Sequence, residues 1–240
     1  MVLDFFKDQG GDLIFFEAGA NEPRLLSQTY LLEINGWKGI LVEPVKSCCE
    51  ELRKERPNSI VFQNALGAPE QRGQLRLCIP GGVTQLTHSF ENGFDPAPND
   101  ILIEANFITI QECIEKSGFL KIDFLSLDLE GSELNALRGI NLMNIRPKLI
   151  IVEDHLDILD RHFYLRKWGY KLVKRNGANS WYVPNETNFP TNLVSWIKLK
   201  RKILSRWFRS YYRRFFENKT DSALVCEHRT ARSFQLPTVI

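Results

Sequence analysis

The chain has 240 residues, 43% hydrophobic and 25% charged, with 15 Gly and 11 Pro. This excludes collagen-like, low-complexity and disordered classes and leaves room for one well-buried domain with an appendage. The formal charge of +2 is a cancellation: residues 196–216 hold eight cations and no acid, which leaves 23 cations against 29 anions elsewhere.

In chain order, the apolar run 13–16 ends at Glu17 and meets Gly19-Ala20-Asn21, the pattern of a buried strand entering a tight turn. A helix-compatible segment, 27–34, leads to a second apolar run, 39–42, which ends at Glu43 and a proline. The next helix spans about 46–55, with Val45, Cys48, Cys49 and Leu52 at i, i+3, i+4 and i+7 as its buried stripe, and a third strand follows at 59–62. Strands alternating with helices predict a parallel sheet covered on both faces. Residues 74–100 are irregular apart from a short strand at 75–79, an excursion of the length that in compact domains tends to be functional. Regular patterning resumes with 101–110, a helix at 111–116, a strand at 124–128, a helix at 132–138, a strand at 149–153 and a helix at 159–168. Residues 170–174 and 180–183 flank Asn176-Gly177, a hairpin signal that places antiparallel strands at one sheet edge.

Four of these strands end in acids, Glu17, Glu43, Asp128 and Glu153. In an open α/β sheet the carboxyl ends of the strands line the ligand crevice. A glycine turn after the first strand and an acid 24 positions beyond Gly19 suit a nucleoside, the acid accepting hydrogen bonds from the ribose hydroxyls. The turn lacks the G-x-G-x-x-G pattern that brings a helix N-terminus to a pyrophosphate, and it places Glu17 and Glu22 nearby. Two carboxylates suit a cofactor with ammonium and sulfonium centres better than a diphosphate, which favours S-adenosylmethionine over a dinucleotide.

The segments FFEAGANEPRLLSQTYLLEINGWKGILVEP (15–44), NALG (64–67), IDFLSLDLEGSELNALRG (122–139) and RPKLIIVE (146–153) resemble the FkbM family of S-adenosylmethionine-dependent methyltransferases, over roughly residues 13–183. The resemblance implies an α/β class I methyltransferase (Rossmann-like) fold: a mostly parallel seven-stranded sheet with an antiparallel terminal hairpin. It also implies O-methylation of a hydroxyl on a sugar, glycan or related metabolite. Carried over by position, Glu17, Gly19, Ala20 and Asn21 match the first cofactor motif and Glu43 the ribose-binding acid. Asn64 and Ala65 match the segment near adenine, and Asp128, Glu130 and Gly131 the motif after the fourth strand. Where the family has a second glycine, this chain has Pro23, which lacks an N–H and fixes φ, so the turn differs locally.

Methyl transfer to a hydroxyl requires alignment and removal of one proton. The candidate bases are His155 and Asp128, with Glu130, Glu153 and Asp154 beside them and His88 in the long loop as a further candidate. Asp128, Glu153 and Asp154 are alternatively a donor set for a divalent ion, which nothing else in the sequence requires. An NAD-linked oxidoreductase and a cofactor-binding module without catalysis are the competing classes.

At 100° per residue, Trp196, Ile203, Leu204, Trp207, Phe208, Tyr211, Tyr212 and Phe215 share one half of a helical wheel and most cations the other. This predicts a C-terminal basic amphipathic helix, which would lie on an anionic membrane, bind a partner helix or nucleic acid, or pack on its own domain or in an oligomer. The expected organisation is a methyltransferase domain at 1–190, the helix at 191–217 and a polar tail at 218–240. Five cysteines without paired spacing, an N-terminus unlike a secretory signal and the lack of a run of ~18 apolar residues predict a cytoplasmic protein, at most peripheral to the membrane.

Overall fold

The computed structural model describes residues 1–71, 73–79, 87–89, 98, 101–153, 159–190, 193, 194, 197, 199–201, 204 and 205. Asp154, His155, most of the long loop, most of 196–217 and the tail at 218–240 lie outside the described residues. The chain divides into two units, Met1–Asn192 and Leu193–Ile240.

The first unit contains α1 (Val2–Phe6), β1 (Ile14–Ala18), α2 (Tyr30–Glu33), β2 (Lys38–Val42), α3 (Lys46–Glu55), β3 (Ser59–Phe62) and β4 (Ala65–Leu66). It continues with β5 (Gln74–Ile79), β6 (Thr87–Ser89), β7 (Ile101–Ile108), α4 (Ile110–Ser117), β8 (Phe124–Leu127) and α5 (Glu133–Arg138). It closes with β9 (Leu149–Glu153), α6 (Asp160–Lys167), β10 (Tyr170–Asn176) and β11 (Asn179–Pro184). Seven strands form one sheet in the order β10-β11-β9-β8-β1-β2-β3. The pairings from β3 through β9 are parallel, and β11 enters antiparallel to both β9 and β10. This is the mostly parallel α/β sheet with antiparallel end pairing that the sequence predicts.

The apolar runs become strands because both sheet faces are covered: every residue of β1 and β8 is buried, as are the first four of β9. Phe15, Phe124, Leu41, Leu149 and Ile151 belong to one core cluster. Phe6 of α1 joins it, with its ring 4.9 Å from that of Trp37 in an edge-to-face contact. Cys48, Cys49 and Leu52 are the buried stripe of α3. Cys48, Cys49, Cys78 and Cys113 are all buried and in no disulfide among the described residues. Burial pushes the thiols of Cys49 and Cys113 up to about 12, so they pack and do not act as nucleophiles.

Two features depart from the sequence pattern. Helix α2 is a single turn, not the whole of 27–34, because Ser27 Oγ accepts the N–H groups of Thr29 and Tyr30 at 3.2 and 3.1 Å and holds the preceding residues in a turn. The long excursion also builds a second sheet, in the order β4-β7-β5-β6, with β4 parallel and β5 antiparallel to β7.

In the second unit Leu193, Val194, Ile197, 199–201, Leu204 and Ser205 are helical, and the side chains of Leu193, Val194, Ile197 and Leu204 are exposed. No helix among the described residues is long and apolar enough to cross a membrane.

Candidate functional site

Strands β1 and β8 are neighbours at the centre of the large sheet, and the strand order runs outward from them in opposite directions. Outside the carboxyl ends of such a pair an open α/β sheet forms its ligand crevice. The turn after β1 is pinned by Gly19 N and Ala20 N, which donate to Val42 O at 3.0 and 3.3 Å. Asp128 N donates to Ala18 O at 3.2 Å. Gly19 has φ +73°, and a Cβ there would lie 1.9 Å from the Asp128 carbonyl oxygen, so a side chain would force the two strand ends apart.

Asn21, at φ 45°, bends the chain again and donates its N–H to Glu43 Oε2 at 3.0 Å, while Val45 N donates to Glu43 Oε1 at 3.0 Å. Glu43 is buried, and desolvation raises its carboxyl above the usual range despite those two bonds. Each of its oxygens still has a lone pair for a further donor. Helix α3 braces the same turn through its thiols: Cys49 Sγ donates to Glu43 O at 3.0 Å and Cys48 Sγ to Asn21 Oδ1 at 3.7 Å.

After β8 the chain turns through Glu130 at φ 49° and Gly131 at φ 109°. This brings donor oxygens of Asp128, Glu130 and Glu153 within 4.8 Å of one another; Asp128 and Glu130 are exposed and Glu153 is half-buried. Three carboxylates at this spacing repel a diphosphate and attract a cationic group or a metal ion. Of the alternative metal donors, Asp128 and Glu153 fall in this group together with Glu130, and Asp154 lies outside the described residues.

Glu17 ends up differently engaged. Its buried carboxylate accepts from Ser27 Oγ, Gln28 N at 2.7 Å and Thr29 Oγ1, and burial raises its proton affinity. Arg56 Nη1 lies 4.0 Å away. Arg56 is itself buried, paired with Glu33, and donates to Pro23 O at 3.0 Å and Thr29 Oγ1 at 2.8 Å. The proline that replaces the family glycine is thus held through its carbonyl by a guanidinium from the end of α3. Asn64 donates to Asn106 O at 3.1 Å and Ala65 pairs with Phe107, so the described contacts of both tie the second sheet to the end of β3.

The structure therefore brings together Gly19, Ala20, Asn21 and Glu43 on one side, and Asp128, Glu130 and Gly131 with Glu153 on the other. His155 lies outside the described residues, and of His88 only the backbone, in β6, is described. Sequence reasoning gave no role to Arg56, to Glu133, which accepts from Leu129 N and Gly131 N at 3.0 Å, or to Arg161, which pairs with it. The E-G-S-E spacing around Glu133 was the one local hint, because an acid in the first helical position can fold back on the turn before it.

A family model described as the methyltransferase FkbM domain matches residues 17–172. Among curated proteins none matches the chain significantly.

Proposed function

Because the chain belongs to the FkbM methyltransferase family, we propose that this methyltransferase uses S-adenosylmethionine to O-methylate a hydroxyl of a sugar, glycan or related metabolite. The observation that carries the reading is the junction of Gly19 with Asp128, flanked by Glu43 and by the rim of Asp128, Glu130 and Glu153. The donor set fits the cofactor: a buried carboxylate with lone pairs to spare suits a ribose diol, and an acidic rim suits ammonium and sulfonium charge.

S-adenosylmethionine, when bound, supplies an electrophilic methyl group. The work left to the chain is to hold the acceptor hydroxyl in line and to take its proton as the new C–O bond forms. Asp128 is the proposed proton acceptor among the described residues, with His155 as its partner or substitute; Glu43 holds the ribose, and Asn21 and Gly19 shape the turn beside it. Binding of S-adenosylhomocysteine but not NADH in calorimetric titration is expected, with a mass gain of one methylene on the acceptor. NADH binding alone would favour an oxidoreductase. S-adenosylhomocysteine binding with no turnover would favour a non-catalytic module, for which Pro23 is the motivating departure.

The same proposal places the enzyme in the cytoplasm, held at an anionic membrane surface by residues 196–216. The eight cations of that segment and the exposed apolar side chains of Leu193, Val194, Ile197 and Leu204 support this.

A further inference from the structure

We infer that the buried ion pair between Glu133 and Arg161 is a positioning device for the loop that carries Asp128 and Glu130, so that α6 sets the geometry of the acidic rim. Glu133 is 1% exposed and Arg161 3% exposed. One carboxylate oxygen, Glu133 Oε1, accepts from both Leu129 N and Gly131 N, each at 3.0 Å; the other, Oε2, pairs with Arg161 Nη2. Between the two bonded amides stands Glu130, a non-glycine residue in the left-handed region, followed by Gly131 at φ 109°. Left-handed backbone at an L-residue is unfavourable, so the bend needs a fixed acceptor inside it. Glu133 provides that acceptor, since Ser132 at the helix N-cap makes no side-chain cap bond.

Stability alone does not account for the pair. Arg161 Nε and Nη1 are buried and have no hydrogen-bond partner among the described residues. A buried ion pair with donors left unbonded is one that apolar residues of similar volume commonly replace at no loss of stability. What an apolar pair would lose is the grip on Leu129 and Gly131, and with it the convergence of Asp128 and Glu130 on Glu153. Helix α5 follows the loop directly. Tyr164 of α6 donates to Leu137 O at 3.1 Å and keeps α6 in register with α5.

The functional half of this inference rests on the proposed S-adenosylmethionine reading; the structural half does not. The test compares wild type with the double variant Glu133→Leu, Arg161→Leu and with Arg161→Lys. Three measurements are made on each: hydrogen exchange of the Leu129 and Gly131 amides in ligand-free protein, thermal midpoint, and S-adenosylhomocysteine affinity. The double variant should melt close to wild type while those two amides exchange at least about tenfold faster, the scale of losing one hydrogen bond to a charged acceptor. Its affinity should fall by a similar factor, and Arg161→Lys should recover part of both. Unchanged exchange of the two amides overturns the inference, and so does faster exchange with wild-type affinity. If the double variant does not fold, Arg161→Gln, which removes the charge, decides by the same readouts: wild-type exchange and wild-type affinity together overturn the inference. Failure of wild type to bind S-adenosylhomocysteine refutes the proposed function instead, and amide exchange then still decides the positioning role.

Discussion

Gly19 is constrained twice, by a backbone conformation that L side chains rarely adopt and by the Asp128 carbonyl where its Cβ would go. Gly19→Ala is therefore expected to destabilise the fold by more than about 2 kcal/mol in urea titration and to abolish S-adenosylhomocysteine binding. A variant that binds with wild-type affinity would show that the two strand ends need not meet. Glu43 makes a prediction about pH. Its folded carboxyl titrates above the ordinary carboxylate value because it is desolvated. The folded state thus holds a proton that the unfolded state has released, and stability is lost as pH rises from about that value through the raised one. Glu43→Gln cannot titrate, so thermal melts at mildly acidic and neutral pH should show wild type losing ground to the variant as pH rises. A difference that is flat with pH, or that moves the other way, would contradict the assigned shift. At this scale the sequence exposed residues whose chemistry shows at the end of a strand, such as Gly19, Glu43 and Asp128. It hid Arg56, Glu133 and Arg161, which read as solvated charges on polar helices because their partners are 23 or more positions away or lie across a turn.

Among the elements, α4 has the clearest local signature. Thr109 Oγ1 accepts from Glu112 N at 3.1 Å and the Glu112 carboxylate accepts from Thr109 N at 2.8 Å, a reciprocal capping box directly after β7. Thr109→Ala should lower stability by about 1 kcal/mol in urea titration, with Thr109→Ser recovering most of it. Equal stabilities for the alanine variant and wild type would mean that packing of Ile110 and Cys113 alone fixes the start of the helix. Elements of this kind were legible: β3 and β9 have the bounds their apolar runs suggest, and α3 follows its 3.6-residue stripe. The second sheet was not, since β4 is a two-residue strand whose only recommendation is its partner Phe107-Ile108, 42 positions away. Nor was α1, five residues too short to show a period, whose Phe6 is held by the Trp37 ring. Strand polarity follows from local pattern, but pairing across an excursion is decided by tertiary contacts.

For the whole molecule, the near-neutral total conceals an acid-rimmed crevice in one unit and a strongly basic segment at the other end of the chain. With eight cations in its sequence and no long apolar run, the segment 196–216 would make its proposed membrane contact in the plane of the interface. On an ideal helical wheel Leu193 and Ile197 extend the same apolar half as Trp207, Phe208 and Tyr211, and in the structure the first two are exposed. Each Lys or Arg near an anionic surface contributes about 1 kcal/mol, so eight cations bind strongly and in a salt-dependent manner. The full chain should co-sediment with vesicles containing phosphatidylserine at low salt, leave them as salt is raised, and ignore pure phosphatidylcholine. Replacing Lys198, Lys202, Arg206, Arg209 and Arg213 by Gln should abolish retention, whereas Trp207→Ala with Phe208→Ala should weaken it and leave the salt dependence in place. Retention by RNA but not by anionic vesicles would reassign the segment to nucleic acid. A dimer that dissociates on the aromatic substitutions alone would reassign it to self-association.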